Sequence, residues 1–131
     1  MILVKVTVKG ERDTTPFMHT FFYADKSDEE LFYKSVNMIE EKIDKNLKIN
    51  INESLVIYTA YIIGKLRAKE PISSIKRNAQ KILAPDRVMI GVPESLRKIV
   101  FDVKIGKLQE KHIILKEPIT TSNYILSTKS C

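Results

Sequence analysis

Along Ile2-Leu3-Val4-Lys5-Val6-Thr7-Val8-Lys9 the side chains fall on two faces, with Ile2, Val4, Val6 and Val8 on one and Lys5, Thr7 and Lys9 on the other. A period of two predicts a half-buried strand. A polar, turn-forming stretch from Gly10 to Pro16 leads into the aromatic run Phe17-Met18-His19-Thr20-Phe21-Phe22-Tyr23. The start of the chain therefore reads as a β-hairpin with a long loop.

The period then changes. Ser27-Asp28-Glu29-Glu30 sets a hydroxyl ahead of an acidic first turn, which predicts a helix start in which side-chain oxygens meet free N–H groups and negative charge meets the helix dipole. Phe32, Val36, Ile39, Ile43 and Leu47 recur at spacings of three and four, one apolar stripe on a helix of about four turns. A second start lies at Asn50-Ile51-Asn52-Glu53, where either asparagine can cap. From Leu55 to Ile63 only Thr59 is plainly polar. A helix apolar on all sides must be covered on all sides, either by its own chain or by a partner.

Pro71 opens a third helix, Ile72 to Leu83, with Ile72, Ile75, Ala79, Ile82 and Leu83 inward and Lys76, Arg77 and Lys81 outward. Pro93-Glu94 predicts a short helix to Ile99. Val100 to Ile105 and Lys111 to Lys116 are strand-like and separated by the loop Gly106 to Glu110, a C-terminal hairpin. The expected class is α+β, with helices in the middle and hairpins at both ends.

A chain of 131 residues with 44% hydrophobic and 29% charged residues suits one core. The net charge of +6 is uneven, summing to +1 over residues 1–26, −3 over 27–60 and +8 over 61–131. A single cysteine, Cys131, excludes an intrachain disulfide framework or multi-cysteine zinc site and predicts an intracellular setting. Neither a membrane-spanning apolar run nor the basic start and apolar core of a signal peptide is present, so the expected location is the cytoplasm. Residues 120–131 read as a polar tail.

Candidate chemistry is thin. His19 and His112 lie on separate strands without metal-ligand spacing, and Cys131 sits where no rigid pocket is expected. Glu40 and Glu41 point about 100° apart on a helix, so they form no acid–base pair, and Lys45 is a helix-stabilising partner for Glu41. The glycines at 10, 64, 91 and 106 build no phosphate-binding loop. Lys65, Arg67, Lys69, Lys76, Arg77 and Lys81 form the densest basic segment, but interleaved aromatics and a nucleic-acid-binding motif are missing, which argues against nucleic acid as the partner.

Several segments carry a resemblance when taken in order. Ser27 and Glu30 sit like a T-P-R-E helix start, and Leu47-Lys48-Ile49-Asn50 is similar to L-K-L-N, with Glu53 at the glutamate of N-x-P-E. Arg67 falls on the arginine of G-A-R-D-G, Val88-Met89-x-Gly91-Val92-Pro93-Glu94 matches V-M-x-G-V-P-E, and Glu117-Pro118-Ile119 stands at H-D-P-I. Together these resemble the gamma subunit of urease over residues 27–119, with V-M-x-G-V-P-E the specific match. The pattern departs at Lys65-Leu66-Arg67-Ala68-Lys69, which replaces G-A-R-D-G and both its glycines, and at Lys116, which replaces the histidine of H-D-P-I.

The resemblance implies a three-helix core with the C-terminal hairpin over 27–119, an added N-terminal hairpin over 1–26, and a tail over 120–131. It further implies a non-catalytic subunit of a nickel enzyme that hydrolyses urea to ammonia and carbamate, with the metal on the alpha subunit and with alpha and beta subunits as partners in an oligomer. The isolated chain is then expected to hold no cofactor and to hydrolyse no urea. Interface candidates on this basis are Tyr58, Tyr61, Arg67, Val88, Met89, Val92 and Pro93, while for Gly91 a role in setting backbone geometry is the better reading. The rival expectation is a stand-alone interaction protein that keeps the fold and self-associates, with the N-terminal hairpin edge as the template.

Overall fold

A computed structural model describes residues 1–11 and 16–120; the polar tail from 121 onward, with Cys131, and part of the long hairpin loop lie outside the described residues. The order is β1 (Ile2–Lys9), β2 (Phe17–Tyr23), α1 (Lys26–Asp44), α2 (Ile51–Arg67), α3 (Ile72–Ala79), a 3-10 turn (Pro85–Arg87), α4 (Val92–Ser95), β3 (Lys98–Ile105) and β4 (Lys111–Lys116). The class is α+β as expected, with a hairpin at each end.

The hairpins do not stand apart. β1 pairs antiparallel with β2 on one side and with β3 on the other, giving a four-stranded sheet in the order β2-β1-β3-β4. The register Val4↔Val103 and Val6↔Phe101 puts the apolar face of β1 beside that of β3, so Val4, Val6, Ile99, Phe101 and Ile113 are all at or below 1% exposure. Burying each such valine or larger side chain contributes about 1.5–3 kcal/mol. The helices cover this face: Phe32, Val36 and Ile39 from α1, Leu55, Tyr58, Ile62 and Ile63 from α2, and Ile75 and Ala79 from α3 join one core with the strands.

Local chemistry explains where each helix begins and ends. Asp25, rather than Ser27, caps α1: its carboxylate accepts from the Asp28 N–H, and the Asp28 carboxylate in turn accepts from the Ala24 N–H at 2.9 Å. The helix stops at Asp44, because Asn46 takes the left-handed conformation and the Leu47 and Asn46 N–H groups donate back to the Lys42 and Ile43 carbonyls, a Schellman ending. Leu47 therefore lies past the stripe and is exposed. Glu41 and Lys45 form no ion pair; Lys45 is the C-cap, and Lys42 pairs with Glu53 at 2.6 Å.

Asn50 is the cap chosen for α2, in a reciprocal box with Glu53: Asn50 Oδ1 accepts from the Glu53 N–H and Glu53 Oε1 from the Asn50 N–H. Burial pushes the Glu53 carboxyl up, but the hydrogen bonds from Lys42 and Asn50 and the Lys42 charge outweigh it and hold the group below its ordinary value. The all-round apolar helix is wrapped by its own chain, with Leu55, Ile57, Tyr58, Thr59, Ile62 and Ile63 buried.

α3 ends at Ala79, short of the expected Leu83. Pro85 holds Ala84 extended at ψ 154°, and the chain before it tightens through Lys81 N–H to Asn78 O and Ile82 N–H to Ala79 O bonds. α4 also stops early, at Ser95, since Lys98 and Ile99 are taken into β3 opposite Lys9 and Val8. In both places a non-local or proline constraint overrides the helical pattern.

Candidate subunit interface

The turn between Val88 and Glu94 is built on the α1–α2 connection. Ile49 and Val88 form a parallel bridge, with the Ile49 N–H donating to Arg87 O at 3.1 Å and the Met89 N–H to Ile49 O at 2.9 Å. Arg87 reinforces it from beneath, its Nη1 donating to Ile43 O and Asn46 Oδ1 at the carbonyl end of α1. Gly91 then sits at φ 92°, where a side chain is strained, and leads directly into α4 with Pro93 in its first turn. The Ser95 N–H and hydroxyl both donate to Gly91 O.

This scaffold divides its side chains sharply. Val88, Val92 and Leu96 point into the core at 2% exposure or less and Pro93 is buried with them, while Met89 is 46% and Ile90 99% exposed. Leu47 and Ile51, which flank the pinned Ile49 in the chain, are also exposed. Exposed apolar side chains thus stand on both of the hydrogen-bonded segments. A bare side chain such as Ile90, held out on a rigid turn, gains nothing from the chain's own core and is suited to entering a partner's surface.

The other sequence-derived candidates are placed differently. Tyr58 is fully buried and its hydroxyl finds no hydrogen-bond partner among the described residues; burial drives its pKa well above the ordinary tyrosine value. Tyr61 is half-buried, its hydroxyl donating to Ile75 O at 2.7 Å to tie α2 to α3, with Lys65 over its ring. Arg67 reaches Glu29 Oε1 at 2.6 Å and joins the end of α2 to the start of α1. Among the interface candidates, Met89 alone is a large apolar side chain turned outward. Sequence reasoning misses Ile90, Leu47 and Ile51: Ile90 is the open position of V-M-x-G-V-P-E, and Leu47 is in phase with a helical stripe that ends before reaching it.

Groups with chemical potential stay dispersed. His19 lies on β2 between Phe17 and Phe21, whereas His112 lies on β4 with Nδ1 2.6 Å from Asp102 Oδ1, so the two sit on opposite edge strands of the sheet. Within the basic segment Lys65 pairs with Glu70 and Arg67 with Glu29. Among the described residues no three histidine, cysteine or acidic side chains gather as a metal group, and no helix is long and apolar enough to cross a membrane. A cleft of about 360 Å³ between the α2–α3 turn and the C-terminal hairpin is lined by Leu66, Ile72, Val103, Ile105 and Leu108, with Glu70 and two lysines at its margin.

The family model described as urease, gamma subunit, matches residues 22–119, which begins at the end of β2 and takes in every helix and the C-terminal hairpin. The urease subunit gamma of Halalkalibacterium halodurans is 29% identical over 92 residues, covering 70% of this chain and 91% of that protein. That of Saccharopolyspora erythraea is 22% identical over 72 residues, covering 55% and 72%. With the match spanning the pinned turn, the capping box and the whole helical layer, the chain belongs to the urease gamma subunit family.

Proposed function

We propose that this chain is a non-catalytic structural subunit of a cytoplasmic urease complex, in which nickel and the hydrolysis of urea to ammonia and carbamate reside on the alpha subunit. The observation that carries the reading is the Met89–Ile90 knuckle: the family match covers it, hydrogen bonds to Ile49 and Arg87 hold it rigid, and it turns apolar side chains to solvent. Its role is to bury that surface against the alpha and beta subunits, within an oligomer. Rigidity favours such a contact because little entropy is lost when the side chains are covered. Tyr61 and Arg67 serve the interface by holding α2 against α3 and α1, and Tyr58, Val88, Val92 and Pro93 by supporting the knuckle and α2 from within.

The test is light scattering on a sizing column with the chain alone and then mixed with the urease large and small subunits. Wild-type chain is expected to move into a much larger complex, and Ile90→Glu to weaken that association by about tenfold or more while leaving the melting temperature unchanged. A chain that ignores both subunits, or that hydrolyses urea unaided, overturns the proposal.

A further inference from the structure

We propose that β2 is a self-pairing edge through which two copies of this chain join, antiparallel about a two-fold axis at Thr20, into one continuous sheet. β2 is bonded to β1 alone; among the described residues nothing pairs with its other edge. Edge strands are ordinarily guarded by charge, proline or a covering element. From Phe17 to Tyr23 there is no Lys, Arg, Asp, Glu or Pro, and Phe17, Met18 and Phe22 are each more than half exposed.

The strand is complementary to itself. Turned about Thr20, it sets Phe17 opposite the second copy's Tyr23, Met18 opposite Phe22, His19 opposite Phe21 and Thr20 opposite Thr20. Aromatic–aromatic, aromatic–methionine and Thr–Thr are favourable cross-strand neighbours, and no like charges meet. On the helix side the row His19, Phe21, Tyr23 already runs on to Phe32, with His19–Phe21 and Tyr23–Phe32 centroids 4.4 and 4.7 Å apart. Pairing lengthens this aromatic row and covers Phe17, which the single chain leaves 52% exposed.

The other edge argues for the same partner. Lys111 and Lys116 stand at the two ends of β4, so that edge carries the charge guard that β2 lacks. An isologous β2 pair consumes the edge left unguarded among the described residues of each copy and closes as a dimer, whereas β2 on β4 would propagate without closing. Most of β2, from Phe17 to Phe21, precedes the residues that the family match covers, so this contact adds to the gamma fold and does not depend on the urease reading.

The decisive experiment is sedimentation velocity on the full chain, wild type and with Thr20 replaced. Thr20 is exposed and faces Lys5 on β1, so Thr20→Glu keeps a favourable neighbour within the monomer while setting two carboxylates against each other across the axis. Wild type is expected to be a dimer, with Thr20→Glu and Thr20→Lys each raising the dimer Kd by about tenfold or more. An equimolar mixture of the two variants is expected to restore the dimer mass, a rescue that misfolding could not produce. Hydrogen exchange should show the free-edge amides of β2 gaining protection as the wild type dimerises. A monomeric wild type, a Thr20→Glu variant that dimerises as wild type does, a mixture that stays monomeric, or a dimer with β2 unprotected each overturns the proposal.

Discussion

Tyr58 and Tyr61 lie one helical turn apart on α2, and replacing either by phenylalanine removes one hydroxyl, yet the structure requires opposite effects. Tyr58 is fully buried, and its hydroxyl has lost water without gaining a partner among the described residues. A buried unsatisfied polar group costs about 1–3 kcal/mol, and deleting one oxygen forfeits some close packing, so Tyr58→Phe should stabilise the fold by about 1 kcal/mol. Tyr61 donates to Ile75 O at 2.7 Å at a half-buried site. A satisfied hydrogen bond contributes about 0.5–1.5 kcal/mol net, so Tyr61→Phe should destabilise by about 1 kcal/mol. The separation of about 2 kcal/mol is read by urea melts with a common slope, or as melting temperatures displaced by about 3–5 °C in opposite directions. Two variants that shift the same way, or a Tyr58→Phe variant less stable than wild type, would refute the reasoning.

Backbone conformation and the capping box yield further predictions. Lys69 sits at φ 58° in the Schellman ending of α2, at the last glycine of the family's G-A-R-D-G, and Gly91 at φ 92° opens α4. Lys69→Gly should therefore stabilise by about 0.5–1 kcal/mol and Gly91→Ala destabilise by about 1 kcal/mol or more, although no atom lies within 4 Å of the added methyl; matched thermal melts check both. The Glu53 carboxyl is held below its ordinary 4.5, so its contribution is complete above that pH and is lost as the pH falls through the folded value. Glu53→Gln should cost about 1 kcal/mol at neutral pH, and its gap from wild type should close in acid; a gap that persists undiminished contradicts the assignment.

Local pattern makes the elements legible from the sequence. The alternation in β1, the 32/36/39/43 stripe of α1, the apolar run of α2 and the five-residue loop of the C-terminal hairpin each report only on near neighbours in the chain, and each appears where the pattern puts it. The V-M-x-G-V-P-E match likewise locates the turn that carries Ile90. Element ends are less legible, since Asp25 and Ser27 are both competent caps and only the realised hydrogen bonds choose between them.

What the residues could not declare is which distant surface each apolar face meets. The strand period predicts that Val8 is buried, but not that it lies opposite Ile99, far along the chain, merging two hairpins into a single sheet. Nor does the composition of α2 say that its own chain encloses it, which takes Tyr58 out of solvent. Local sequence determined secondary structure, because propensity, capping and period act within a few residues. The tertiary structure decided which apolar faces meet one another and which stay outside, because burial depends on which non-local elements arrive to exclude water.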